Sequence, residues 1–297
     1  MTLVVFALVD GVHLLDLAGP AQVFDTAGYR LAYVADRPQV TSAQGLPVVA
    51  GREWPALGVD DLVVVPGWRG EAELSDRLLA HLRGHHEAGG VVASVCAGAR
   101  ALGAAGLLDG RRCTTHHDLQ DDLARRHPGA TVVRDVLFTV DDRVITSAGI
   151  ASGVDLALHV VATRHGPARA AQVARQMVVY TRRNGAEPQA STMLRHRDHL
   201  DDTVHQVQDL IDTRFTEPLP LARLAAHAGV SARTLTRLFT RATGLTPLRY
   251  QQALRMEHAE HLIGHGTTVE TAAREAGFDD ARMLRRLRSR FRPVQAG

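Results

Sequence analysis

Leu224-Ala225-Ala226-His227-Ala228-Gly229-Val230-Ser231 and Ala272-Ala273-Arg274-Glu275-Ala276-Gly277-Phe278-Asp279 are two copies of one pattern, set 48 residues apart. Each copy has small or aliphatic residues, two positions that tolerate polarity, Ala-Gly, one apolar residue and a residue of the N-cap type. The pattern describes two short helices meeting at a corner. Alanine lets the helices cross closely, and glycine takes the left-handed backbone that ends the first of them. The apolar residue plugs the corner, while Ser231 or Asp279 accepts from the free amides that open the second helix. One such match is weak, because many helical hairpins end in Ala-Gly. Two matches, each followed by an arginine-rich helix, are specific.

After Ser231, Leu235, Leu238 and Phe239 fall at i, i+3 and i+4 and predict the buried stripe of a helix. Arg233, Thr234, Thr236, Arg237 and Arg241 are left on the outward side. In the second copy Met283, Leu284 and Leu287 pack inward, and Arg282, Arg285, Arg286 and Arg288 crowd the remainder. Between the copies, Gly244-Leu245-Thr246-Pro247 leads into an amphipathic helix through Leu254, Ala259, Leu262 and Ile263. This stretch resembles the AraC/XylS DNA-binding module. The resemblance implies two helix-turn-helix units, joined by a long helix, that present recognition helices to major-groove segments about 34 Å apart. It also implies base contacts from Arg233, Thr236 and Arg237 in the first unit, and from Arg282 and Arg286 in the second. The chain departs from the family at its end. Arg288 stands where an aromatic is usual, and the Gly-x-x-Pro-x-x-Tyr-Arg tail is missing. The second recognition helix is therefore expected to pack more loosely, or to use Phe291 from one turn later.

Charge agrees with this reading. Residues 205–297 hold 14 arginines against 9 carboxylates, whereas residues 1–204 hold 20 against 23. A basic block on a mildly acidic chain is the footprint expected for phosphate contact. The chain has no lysine, so every side-chain cation except histidine is a guanidinium able to grip guanine or phosphate with two bonds. The bland alternative is a solvated helical bundle with surface arginines.

A length of 297 residues with 45% hydrophobic content suits two packed domains. No apolar run approaches the roughly 18 residues of a membrane span, and the N-terminus lacks the basic region and cleavage site of a signal peptide. Cys96 and Cys113 form neither a C-x-x-C nor a disulfide framework. The reading is a cytoplasmic protein without a membrane partner. His85-His86 and His116-His117 are adjacent pairs, which do not face one metal from a regular element, so neither metal nor cofactor is expected.

Leu3–Val9, Tyr29–Ala35, Leu62–Val65 and Val91–Val95 are short buried runs, and a helix is expected from about Ala72 to Ala88. Arg112–Thr115, Thr131–Val136, Leu137–Val140 and Arg143–Ser147 read as further strands, and Ile150–Val161 and Ala168–Tyr180 as helices. This alternation predicts an α/β fold, a mostly parallel sheet flanked by helices, followed by the all-α unit with two corners. Functional sites in such sheets lie at the carboxyl ends of the strands. Cys96 directly follows Val91–Val95, and Ala97-Gly98-Ala99 opens a helix without bulky side chains. This is the form of a nucleophile elbow. The helix start is expected to lower the thiol pKa and ready a thiolate.

With Leu15-Asp16-Leu17-Ala18-Gly19-Pro20, Pro66-Gly67, Gly106-Leu107-Leu108-Asp109-Gly110 and Thr114-Thr115-His116, residues 1–181 resemble the ThiJ/PfpI branch of the class-I glutamine amidotransferase-like fold. The resemblance implies an effector pocket of Asp16, Gly67, Cys96, Ala97 and His116, with backbone amides of Gly67 and Ala97 placed as an oxyanion hole. Asp16 has a plainer reading as a helix cap, His116 as a structural strand end, and Cys113 as core. The polar stretch 182–200 has linker composition, and 201–297 forms the DNA-binding domain. Together the resemblances imply a transcriptional regulator, a homodimer on double-stranded DNA that senses a small-molecule effector and works with RNA polymerase. The alternative is a cysteine enzyme of the isonitrile-hydratase or hydrolase kind, using Cys96, His116 and Asp16. Against the protease-like branch stands Ala97, where that branch places its histidine.

Overall fold

The computed structural model describes residues 2–179, 183–189, 191–264 and 266–291. The chain divides into two compact units, Met1–Gln189 and Ala190–Gly297.

The first unit is built on the apolar runs. β1 (Leu3–Ala7), β2 (Arg30–Val34), the hairpin β3 (Gln39–Thr41) and β4 (Pro47–Val49), β5 (Leu62–Val65) and β6 (Val91–Val95) precede the elbow. β7 (Arg112–Cys113), β8 (Thr131–Val132), β9 (Phe138–Asp141) and β10 (Val144–Ser147) follow it. The main sheet runs in the order β2-β1-β5-β6-β10-β9, parallel throughout except for β9, which pairs antiparallel with β10. β1, β5 and β6 are almost wholly apolar because both faces are covered. Val4, Phe6, Val64 and Val95 face α1 (Leu14–Thr26), α5 (Ser152–His165) and α6 (Pro167–Gln176). Val5, Val63, Val65 and Val92 face α2 (Asp76–Glu87), α3 (Ala99–Ala104) and α4 (Gln120–Arg126).

Two expectations are corrected here. The helix expected from Ala72 begins at Asp76, because the Ser75 hydroxyl accepts the Leu78 N–H (3.2 Å) and fixes the start. The strand expected over Thr131–Val136 keeps only two ladder residues, which pair with β7 away from the main sheet. Asp135, at φ 51°, turns the chain back toward the sheet before β9. The break between the two units falls inside the stretch 182–200, whose described ends are bonded to the unit on either side. Arg183 binds the buried Asp155 carboxylate (2.6 and 3.1 Å), Gly185 accepts the Leu137 N–H, and the Gln189 amide donates to Thr115 and Val136 carbonyls. Arg197 reaches Asp209 and Asp212, and His199 meets Gln208, so these residues belong to the helical unit.

That second unit contains α7 (Thr192–Arg195), α8 (Asp202–Arg214), α9 (Leu221–His227), α10 (Ala232–Thr243), α11 (Pro247–Gly264), α12 (Val269–Glu275) and α13 (Ala281–Phe291). α11 serves two cores in turn. Tyr250 and Leu254 pack with Leu235, Phe239, Leu224 and Val207 around the first corner. Met256 and Ala259, farther along the same helix, pack with Ala272, Phe278, Leu284 and Leu287 around the second. At 1.5 Å per residue α11 spans about 27 Å, of the order of one DNA turn.

Candidate functional site

The elbow has the strained form its sequence suggested. Cys96 directly follows β6 with φ 54°, a left-handed backbone that non-glycine residues rarely adopt, and opens a 3-10 turn before α3. A side chain on Gly98 would overlap the Val65 carbonyl, so only glycine lets the turn lie against β5. Asp16, Gly67, Cys96 and Ala97 come together: a Cβ on Gly67 would run into the Asp16 carboxylate, the Cys96 Cβ and the Ala97 N. The plainer reading of Asp16 as a cap is corrected. It lies inside the first turn of α1, fully buried, and its Oδ1 accepts the Ile150 N–H across the sheet end (2.6 Å). Its Oδ2 faces the thiol and the Gly67 backbone but meets the geometry of a hydrogen bond with neither.

Electrostatics overturn the expectation of a thiolate. Burial, followed by the neighbouring Asp16 charge, pushes the Cys96 thiol up to about 12. The Ala97 N–H works the other way and is outweighed by burial. Burial also raises the Asp16 carboxyl, against the Ile150 N–H. Cys96 is only 6% exposed, and Gly149 closes on it from the opposite side. In a Cys113→Ala background, iodoacetamide should therefore alkylate Cys96 at pH 8 about a thousandfold more slowly than a free thiol, with a rate still climbing at pH 10. A rate that levels off below pH 8 would mean a thiolate.

His116 is not bonded to Cys96 among the described residues. Its ring lies tilted against that of His117 and its Nδ1 accepts the Asp118 N–H (3.4 Å), while burial, then His117, lowers its pKa. Thr115, one residue earlier, makes the link instead, its hydroxyl donating to the Cys96 carbonyl (2.8 Å). The histidine whose charge bears on Asp16 is His13, three residues before it at the head of α1. Sequence reading missed both His13 and Ile150. The i−3 spacing at a helix start pointed to His13, but nothing marked Ile150. A cleft of about 300 Å³ opens nearby between Trp68, Leu74, Arg100 and Arg126, without Cys96 in its wall.

In the helical unit both corners form. Gly229 and Gly277 take φ of 64° and 81°. Ser231 Oγ accepts the Thr234 N–H (3.2 Å) and caps α10. In the second corner the cap is Asp280, whose carboxylate accepts the Met283 N–H (2.8 Å), and not Asp279. Arg233 and Arg237 are exposed on α10, with no ion pair among the described residues, and half-buried Thr236 turns its hydroxyl to the Ala232 carbonyl. Arg282 and Arg286 are exposed on α13. The absent aromatic is replaced electrostatically. Arg288 grips Glu260 of α11 with two bonds (2.6 and 3.0 Å), and Arg285 pairs with Glu270 of α12. Leu284 and Leu287 are buried beneath them, so the second core closes without the aromatic. The Phe291 side chain and residues 292–297 lie outside the described residues.

Comparison with known proteins follows this division. The DJ-1/PfpI family model matches residues 2–163, and a helix-turn-helix domain model matches residues 224–292. The HTH-type transcriptional regulator CdhR of Pseudomonas aeruginosa is 31% identical over 236 residues, 76% of this chain and 70% of its own length. The isonitrile hydratase of Pseudomonas putida is 36% identical over 160 residues, 52% of this chain and 68% of its own length. The crystal structure of an AraC family transcriptional regulator from Pseudomonas putida superposes with a TM-score of 0.52 at 24% identity, covering 60% of this chain and all of that one. Among the described residues no helix is long and apolar enough to cross a membrane. With a DJ-1/PfpI sheet ending in a buried thiol and two arginine-faced corners after it, the chain belongs to the DJ-1/PfpI family and is a DNA-binding, HTH-type transcriptional regulator.

Proposed function

We propose that the DJ-1/PfpI unit of this regulator holds a small-molecule effector around Asp16, Gly67, Cys96, Ala97 and His116, and that it senses the effector without turning it over. Support comes from Ile150, a β-branched residue at φ 49° whose N–H is held by Asp16. A ligand that engages the unpartnered Asp16 Oδ2 competes for this carboxylate and lets the turn before α5 relax. Gln189, the last residue of the unit, is bonded to the carbonyl of Thr115, so a shift at the strand end reaches the chain that leads to the DNA-binding unit. Cys96 then acts as a wall of the site, since its thiol is protonated. The regulator works in the cytoplasm as a homodimer on double-stranded DNA, together with RNA polymerase.

The observation that carries the DNA assignment is the pair of exposed guanidinium faces on α10 and α13. Arg233, Thr236 and Arg237 contact bases from the first, and Arg282 and Arg286 from the second. Fluorescence anisotropy with operator variants should show Arg237→Ala costing about 1–3 kcal/mol at one base position. Uniform loss over all sequences would assign it to phosphate instead. Affinity should fall steeply with salt, and a flat response would remove the assignment. Cys96→Ala should leave operator affinity within about tenfold, or 1.4 kcal/mol. A second reading, hydration of an isonitrile at Cys96, draws on the strained elbow beside Asp16 and the likeness to the hydratase. Turnover of an isonitrile that disappears in Cys96→Ala would establish it.

A further inference from the structure

His116, His117 and Asp118 are consecutive in the first unit, and consecutive histidines on a regular strand or helix point apart. The backbone at this place is not regular. His116 is extended (φ −53°, ψ 141°) and His117 opens a 3-10 turn, so the chain bends between the two side chains. Their rings come together with centroids 4.1 Å apart. Asp118 folds back toward both, its Oδ2 3.5 Å from His116 Nδ1 and its Oδ1 3.4 Å from His117 Nε2. One ligand atom from each of the three residues lies within 4.8 Å of the others.

We propose that His116, His117 and Asp118 form a binding site for a divalent transition-metal ion of the zinc type. Zinc holds nitrogen and oxygen ligands at about 2.0–2.2 Å in a tetrahedron, which separates neighbouring ligand atoms by about 3.4 Å. The two separations to Asp118 are of that size but run to different carboxylate oxygens, so a turn of the exposed Asp118 carboxylate is needed to bring one oxygen to the ion. The distance between the two rings closes by rotation of His117, an exposed side chain. The metal displaces only one weak bond, the 3.4 Å contact from the Asp118 N–H to His116 Nδ1. Two imidazoles and a carboxylate suit zinc, nickel or copper, not the all-oxygen shells of calcium and magnesium. Three protein ligands leave a coordination position open to water or to an anionic ligand. The site borders the elbow, because Thr115 next to His116 holds the Cys96 carbonyl. A metal here would give the effector a second point of attachment, a consequence that rests on the sensing reading, whereas the ion site itself does not.

The test uses the full chain, stripped with EDTA and dialysed, then titrated with zinc chloride by calorimetry and with cobalt chloride by visible absorption. One zinc per chain is expected at micromolar concentration. His117→Ala and Asp118→Asn should each weaken it by at least about tenfold, since even residues behind the ligands commonly cost that much. Both side chains are exposed, and circular dichroism verifies that the variants fold. Cobalt should give d–d bands without a thiolate charge-transfer band. No zinc uptake in this range, uptake that His117→Ala leaves within twofold, or a thiolate band would each overturn the proposal. Operator binding measured without metal tests the sensing reading separately.

Discussion

Gly277→Ala should unfold the second corner and cost about 3–5 kcal/mol, whereas Gly229→Ala, at the equivalent place in the first, should cost about 1–2 kcal/mol. Both glycines have left-handed backbone, so alanine pays a conformational penalty at either. Their surroundings differ. A Cβ on Gly229 meets open space, but one on Gly277 would overlap the Thr216 carbonyl. That carbonyl cannot easily give way, because the loop around it is clamped. Gln251 donates to the Phe215 and Glu217 carbonyls (2.9 and 2.7 Å), and Arg255 donates to the same pair (2.6 and 2.8 Å). Urea denaturation of the two variants separates the terms, and equal losses would show that the loop yields. Gly277→Ala should also lower operator affinity by more than tenfold, because α13 loses its support.

The second large effect belongs to the elbow. Gly98→Ala should destabilise the first unit by about 3 kcal/mol or more, by overpacking alone. Gly98 has ordinary helical φ, where backbone preference favours alanine by up to about 1 kcal/mol, so the loss comes from the clash alone. Its Cβ would overlap the Val65 carbonyl, which belongs to β5 in the middle of the parallel ladder. Gly106→Ala is the control, since φ is 74° there and no atom lies within 4 Å of the added carbon. A thermal melt in which Gly98→Ala loses no more than Gly106→Ala would show that β5 and β6 can part without cost.

Much of this architecture was legible in the sequence, and for physical reasons. Valine runs such as Leu62–Val65 fit only strands covered on both faces, and the repeated Ala-Gly located both corners. Cys96 was found because a small-residue helix after a buried strand leaves the turn few alternatives. The errors share a cause in contacts remote along the chain. Asp16 resembled a cap, but its partner is Ile150, 134 residues away. Composition made 182–200 a linker, and the break between the units falls inside it, but the sequence does not reveal that Arg183 and Gln189 are tied back to Asp155, Thr115 and Val136. The helix-start argument for a thiolate was sound locally, and it lost to burial that only the folded sheet creates. Arg288 suggested a defective second core because the sequence does not reveal that Glu260 lies beside it.

The clamped carbonyls of Phe215 and Glu217 have a consequence for how DNA is read. The strap they form ends α8, is gripped by α11, and abuts the glycine of the second corner, so the two reading heads share one rigid mount. With base contacts from α10 and α13 as proposed, such a mount confines operator reading to a single phase. One base pair inserted between the two contacted segments turns the second by about 35°, since a helical turn holds about 10–10.5 pairs. The four bonds to the Phe215 and Glu217 carbonyls resist that rotation, so most of the accommodation falls to the duplex, by twisting or bending.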